Sequence, residues 1–125
     1  MRLLLDTHVL LWWLADDPSL DVEARRAIAS GDAEVSVSAA SAWEIAIKKA
    51  LGKLQAPDDL AAQLEHHRFL GLPITIAHAL AAGRLPPHHA DPFDRMLVAQ
   101  AIAEGLTIVT RDARIAAYGV TVLAG

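Results

Sequence analysis

Leu3-Leu4-Leu5 is a continuous apolar run closed by Asp6, the pattern of a short strand buried on both faces of a parallel sheet. Val9 to Leu14 is almost wholly apolar until Asp16-Asp17-Pro18, which predicts a short buried helix that Pro18 terminates. Ser19 is placed to cap a second helix, Leu20 to Ser30, with Val22, Ala27 and Ile28 inward and Gly31-Asp32 as its stop. Val35-Ser36-Val37 alternates like a strand. From Ser38 to Leu51, Trp43, Ile45-Ala46-Ile47 and Ala50-Leu51 recur near the helical period and Gly52 stands at the stop, so Trp43 reads as core. Pro57-Asp58 opens a helix through Arg68, Leu72-Pro73-Ile74 reads as an edge segment, and Ile76 to Leu85 as a helix ended by Pro86-Pro87. Asp91, Pro92 and Asp94 occupy the N-cap, N1 and N3 positions of a helix running to Gly105. Leu106 to Val109 is a strand, Ala113 to Ala117 a short helix and Val120-Thr121-Val122 a last strand. Strands alternating with helices predict an α/β fold with a mainly parallel sheet and right-handed crossovers, in an order the pattern leaves open.

Composition narrows the classes. A length of 125 residues predicts one domain over 1–125, and 54% hydrophobic with 21% charged residues is enough for a packed core. The net charge of −4 excludes a strongly basic nucleic-acid binder but leaves room for a local basic groove. Without cysteine there is no disulfide framework, thiolate zinc site or cysteine nucleophile, so any metal is held by oxygen or imidazole. Asp6 interrupts the first apolar run too early for a secretory signal or a membrane span, which predicts a soluble, cytoplasmic protein.

Ligands of parallel α/β sheets bind beyond the carboxyl ends of strands, and Asp6 and Asp112 follow two such ends. Glu44, in the first half of the long helix, and Asp94, in the first turn of the helix after the proline loop, project from the same rim. Carboxylates that converge repel and raise one another's pKa unless a cation lies among them; oxygen-only ligation suits Mg²⁺ or Mn²⁺ better than zinc. A cation so held supports hydrolysis of a phosphodiester.

Leu4-Leu5-Asp6-Thr7-His8, Ser41-Ala42-Trp43-Glu44-Ile45 with Gly52-Lys53-Leu54, Asp91-Pro92-Phe93-Asp94-Arg95 and Thr110-Arg111-Asp112 together resemble the PIN-domain family. More narrowly they are similar to the VapC toxins of bacterial type II toxin–antitoxin systems. The resemblance spans essentially the whole chain, with the segments in family order. It implies a PIN-like three-layer α/β/α domain and a Mg²⁺- or Mn²⁺-dependent endoribonuclease acting on RNA. It also implies inhibition by a VapB-type antitoxin protein and a homodimer. Position by position it assigns catalytic and metal-binding roles to Asp6, Glu44, Asp94 and Asp112 and a supporting role to Thr110. Asp91 offers a further carboxylate one turn from Asp94; the apolar Met96-Leu97-Val98-Ala99 follows Asp94 as in the family, so the resemblance implies Asp94 as the ligand and leaves Asp91 as the cap.

Plainer roles compete at each position. Asp6 and Asp112 are also placed to cap helices, Glu44 to pair with Lys48, and Asp94 to reach back to the Asp91 amide in a capping box. Adjacent pairs such as His66-His67 and His88-His89 seldom converge on one ion, which puts His88-His89 nearer substrate than metal. Trp12-Trp13 reads as packing, at a dimer seam or under an antitoxin. Arg95 and Arg111, beside the acidic motifs, are the candidate phosphate contacts. A haloacid dehalogenase phosphatase would need an Asp where His8 stands, and a receiver domain a phospho-accepting Asp that Val35-Ser36-Val37-Ser38 does not supply. The serious alternative is a non-catalytic PIN-like module that binds RNA or protein; loss of an acid would signal it, and none is lost.

Overall fold

Alternation along the central strands divides the core into two layers. In the computed structural model, which describes Met1–Gly125, β1 (Arg2–Leu5) sends Leu3 and Leu5 to one face and Leu4 to the other, all three fully buried. The same alternation divides Ile108 from Val109 on β4 (Thr107–Thr110), whereas β2 (Glu34–Ser38) sends Val35 and Val37 to the Leu3 side. On that side pack α1 (Thr7–Leu14), α2 (Val22–Ala29), α3 (Ala39–Ala50) and α4 (Leu60–His66), through Val9, Leu10, Ala24, Ile28, Ile45, Leu60 and Leu64. Leu97, Val98 and Ala101 of α6 (Pro92–Glu104) and Ile115 of α7 (Ala113–Ala116) cover the other side. β3 (Leu70–Leu72) and β5 (Val122–Ala124) are the edges, and α5 (Ile76–Gly83) lies against α6. The result is the expected α/β/α arrangement around a five-stranded, wholly parallel sheet.

Strand order is β3-β2-β1-β4-β5, so β1 lies between β2 and β4 and the connections on its two sides diverge. The register sets Leu4 opposite Ser36 and Ile108, and the Asp6 amide extends the ladder to the Val109 carbonyl at 3.1 Å. The carboxyl ends of β1, β2 and β4 therefore lie side by side at the point where the order reverses, the place where open parallel sheets bind ligands. Gly105 closes α6 with φ of 67°, a left-handed turn that L side chains rarely adopt, and β4 starts two residues later at Thr107.

Several local expectations shift. Helix α2 starts at Val22 and is capped by Asp21, whose carboxylate accepts from the Glu23 amide, because Ser19 is held in a turn by the Asp17 carboxylate. Val22 is consequently exposed, and Ala24 with Ile28 faces the core. α4 begins at Leu60, with Asp58 outside it and paired to Lys49. Trp43 is 62% exposed and meets the Phe93 ring edge-on at 5.5 Å; it is not core, because Ile45 rather than Trp43 lies on the buried stripe of α3. The last strand begins at Val122, where pairing with Ile108 places it, while Val120 packs beneath it before the strand starts. No helix is long and apolar enough to cross a membrane.

Leu4 is fully buried in the middle strand and packs among Leu97, Val98 and Ile108. Leu4→Ala should cost about 2–5 kcal/mol of unfolding free energy in urea titrations. A loss below about 0.5 kcal/mol would show that the sheet is not packed as described.

Candidate active site

The sheet's reversal point opens into a cleft of about 330 Å³ lined by Asp6, Glu44, Asp91, Asp94 and Asp112, with Trp12 its one apolar wall. Each carboxylate arrives from a different local structure. Asp6 ends β1 and caps α1, one oxygen accepting from the Val9 amide at 2.8 Å and the other from the buried Thr110 hydroxyl. Thr110, last residue of β4, accepts in turn from the Asp112 amide at 3.1 Å, so a single hydroxyl ties the ends of β1 and β4 together. The capping role and the cleft-facing role of Asp6 coexist in one side chain.

Glu44 reaches the cleft from α3 and is buried, with its side chain only 5% exposed. Thr7 donates to one of its oxygens at 2.6 Å and Lys48 to the other at 2.6 Å. Ser41 lies 3.1 Å from Thr7, placed to donate to the hydroxyl that is itself donating. The Lys48 pair that the i,i+4 spacing suggests does form, but it ties down a buried acid rather than decorating a solvated helix face. The bond from Glu44 in turn raises the Lys48 pKa.

Asp91 caps α6, accepting from the Phe93 amide at 2.8 Å and the Asp94 amide at 3.4 Å. Asp94 makes no capping box, because the Asp91 amide is already bonded to Nδ1 of His89 at 3.1 Å. Its carboxylate meets Nε2 of His89 at 3.1 Å instead, and the same nitrogen lies 2.9 Å from Asp112. His89 is buried, and its ring brings Asp94 and Asp112 to one point. Asp112, which caps α7, is also gripped by Arg114: Nε donates to one oxygen and a terminal nitrogen to the other, both at 3.1 Å.

The electrostatics follow from these partners. Burial, then the charge of Asp91, pushes the Asp94 carboxyl up to about 7; His89 opposes the shift, and Glu44 and Asp6 add to it. Burial also raises Asp6, against the Thr110 and Val9 hydrogen bonds. For Asp112 burial is the largest single influence and acts upward, yet the bonds from Arg114 and His89 together outweigh it and hold the carboxyl at about 2. One acid of the cluster thus retains a proton near neutrality while its neighbour across His89 is ionised.

Asp6, Glu44, Asp94 and Asp112 are brought together, Asp91 lines the same cleft, and Thr110 lies beneath it. Arg111 lines it too, stacked 4.2 Å from the Trp12 ring centroid and donating to the carbonyls of Gly125 and Ser19. Arg95 is not brought to the cleft. Its guanidinium serves the carbonyls of Ala82, Leu85, Pro86 and His89, so it fixes the proline loop rather than facing a phosphate. Sequence reasoning placed His89 with His88 near substrate without pairing it to the acids, and it missed Arg114. The only local signal was position, since each stands two residues from an acid of the cluster. His67 lies elsewhere, stacked on Phe69 with Trp13 edge-on, where burial and then the neighbouring His66 lower its pKa.

Comparison with known proteins bears on the family and the fold. Residues 3–120 match the family model described as PIN domain. The chain is 37% identical over 123 residues to ribonuclease VapC22 of Mycobacterium tuberculosis, covering 92% of this chain and 90% of the relative. Among solved structures, VapBC2 of Rickettsia felis bound to a promoter DNA fragment superposes with a TM-score of 0.72 at 14% identity, covering 98% of each chain. DNA-bound VapBC of Salmonella typhimurium superposes with a TM-score of 0.69 at 20% identity, covering 98% and 97%.

A divalent cation that uses Asp94 must displace its proton. Calorimetric Mn²⁺ affinity should therefore rise by up to about tenfold per pH unit below pH 7 and level off above it. The metal-free fold has the opposite linkage: the raised pKa contributes stability that is full below the ordinary carboxylate range and lost as pH rises through about 7. Mn²⁺ should accordingly raise Tm more at pH 8 than at pH 6. A pH-independent affinity would remove Asp94 from the ligand set.

Proposed function

Because the chain belongs to the PIN domain family, in its VapC branch, we propose that it is a metal-dependent endoribonuclease toxin that hydrolyses RNA phosphodiester bonds and is neutralised by a VapB-type antitoxin. The carrying observation is the convergence of Asp6, Glu44, Asp94 and Asp112 on one cleft at the reversal point of the sheet. The whole chain, 1–125, acts as the catalytic domain.

The residues fit a hard divalent cation. The donors of the cluster are carboxylate oxygens, and Asp94 is held at about 7 by burial and by neighbouring like charge, a situation that a cation relieves. Asp6, Glu44, Asp94 and Asp112 would hold Mg²⁺ or Mn²⁺, with Asp91 as a neighbouring carboxylate. When bound, such an ion makes hydroxide available from water near neutral pH and neutralises charge growing on the phosphoryl oxygens.

The chain's own side chains do the remaining work. Thr110 aims Asp6, while Thr7 and Lys48 aim Glu44, so neither acid has to be ordered during the reaction. Lys48, Arg111 and Arg114 line the acidic cleft and are the cations available to RNA phosphates. Each is already bonded within the protein, so binding RNA exchanges one partner for another. With a net charge of −4, capture relies on this local positive rim and weakens as salt is raised.

The antitoxin assignment draws support from the structural likeness to proteins solved as VapBC complexes. Exposed apolar side chains at Trp43, Ile76 and Leu80 offer contact area for the homodimer expected of the family. We place the protein in the cytoplasm, with its RNA substrate.

Asp6→Asn preserves the acceptor for the Val9 amide and removes a charge, so it should leave Tm close to wild type. Cleavage of a total small-RNA pool with Mg²⁺ or Mn²⁺ should fall by at least about 10²-fold, the scale of losing one partner of transition-state charge. Undiminished cutting by the variant, or equal cutting in EDTA, would overturn the assignment.

A further inference from the structure

We propose that His89 is the positioning residue of the acidic cluster: it donates a hydrogen bond through Nε2 to Asp94 and Asp112 and is not itself a metal ligand. The inference rests on the functional reading above and adds the tie that spaces two of its acids. It starts from the backbone. The Asp91 amide donates to His89 Nδ1 at 3.1 Å, and a nitrogen that accepts carries no proton. The ring's proton therefore sits on Nε2, the atom that lies 3.1 Å from Asp94 Oδ2 and 2.9 Å from Asp112 Oδ2.

The backbone that carries the ring is also held on both sides of His89. Its amide donates to the Tyr118 hydroxyl at 3.0 Å, and its carbonyl accepts from Arg95. Tyr118 and Arg95 both also hold the Pro86 carbonyl, so the loop cannot carry the ring away from the two acids without breaking several bonds. To act as a ligand, Nε2 would have to lose its proton to Nδ1, leaving the Asp91 amide at the start of α6 without its acceptor.

The device answers a specific problem. Asp94 is on α6 and Asp112 opens α7, and nothing else in the structure bonds one carboxylate to the other. An imidazole N–H shared between them holds the two carboxyl groups at a fixed spacing, with the ligand-type atoms of all three residues within 4.8 Å. Outer hydrogen bonds of this sort orient metal-binding groups, and their loss typically costs about 10- to 100-fold in metal affinity.

Two measurements test it. Long-range ¹⁵N correlation NMR of the metal-free wild type should give His89, identified by its loss from the His89→Gln spectrum, as the Nε2–H tautomer. An Nδ1–H tautomer would overturn the proposal. Calorimetry with Mn²⁺ should find His89→Gln, which retains an N–H near the Nε2 position, within about threefold of wild type, and His89→Leu weaker by about 10- to 100-fold. Wild-type affinity in the Leu variant, a Gln variant as weak as Leu, or directly bound ¹⁴N in the electron paramagnetic resonance spectrum of Mn²⁺-loaded wild type would each overturn it. A wild type that binds no metal would count against the functional reading instead, and the tautomer, read on the metal-free protein, still decides the role of His89.

Discussion

Like charges converge at the end of this sheet, and the structure around the cleft is organised by the need to hold them there. Asp6, Glu44, Asp91, Asp94 and Asp112 line one small cleft, where their mutual repulsion opposes the fold that gathers them. Each is restrained by donors: Thr110 and the Val9 amide at Asp6, Thr7 and Lys48 at Glu44, helix amides at Asp91, His89 at Asp94, and His89 with Arg114 at Asp112. Where the donors are strong the acid stays ionised, as at Asp112; where burial and neighbouring charge win, as at Asp94, the acid keeps its proton to about neutrality. A cluster held this way is ordered but electrostatically unsatisfied, which is the condition a divalent cation would relieve.

The apolar core makes the arrangement affordable. Leu3, Leu4 and Leu5 are fully buried and fix β1 between β2 and β4, and Asp6 follows immediately, so the first carboxylate inherits its position from the strand packing. Thr110 does the same from β4, and Ser38, at the end of β2, caps the helix that carries Glu44. Asp6, Glu44 and Asp112 thereby converge through three adjacent strand ends, and Asp91 and Asp94 join them from the start of α6. Basic groups stand beside the cleft under a net negative charge, and this combination favours local capture of a phosphate chain over nonspecific adhesion.

How much of this could be seen in the sequence depended on how local the determining physics is. Strand β1, the cap and proline that start α6, and the glycine that ends it follow from adjacent residues, and they emerged where expected. Trp43 did not, since the side of α3 that faces the core is decided by the packing of Ile45 rather than by hydrophobicity alone. The start of α2 depended on a competition between Ser19 and Asp21, which the Asp17 turn decides. In the cleft, the acids were legible because they recur at strand ends and helix starts. His89 was not, because its significance comes from joining Asp94 and Asp112, which share no element. Arg95 misled for the converse reason: beside an acid in sequence, it turns to the carbonyls of the proline loop.

The central claim is that the carboxylates at the reversal point of the sheet form one divalent-metal site. The most direct measurement is an anomalous difference map from crystals grown with Mn²⁺ above the pKa of Asp94. The account predicts a peak within coordination distance of carboxylate oxygens from Asp6, Glu44, Asp94 or Asp112, with His89 Nε2 outside the coordination shell. A cleft without such a peak at saturating Mn²⁺, or a metal held elsewhere on the protein, would contradict it.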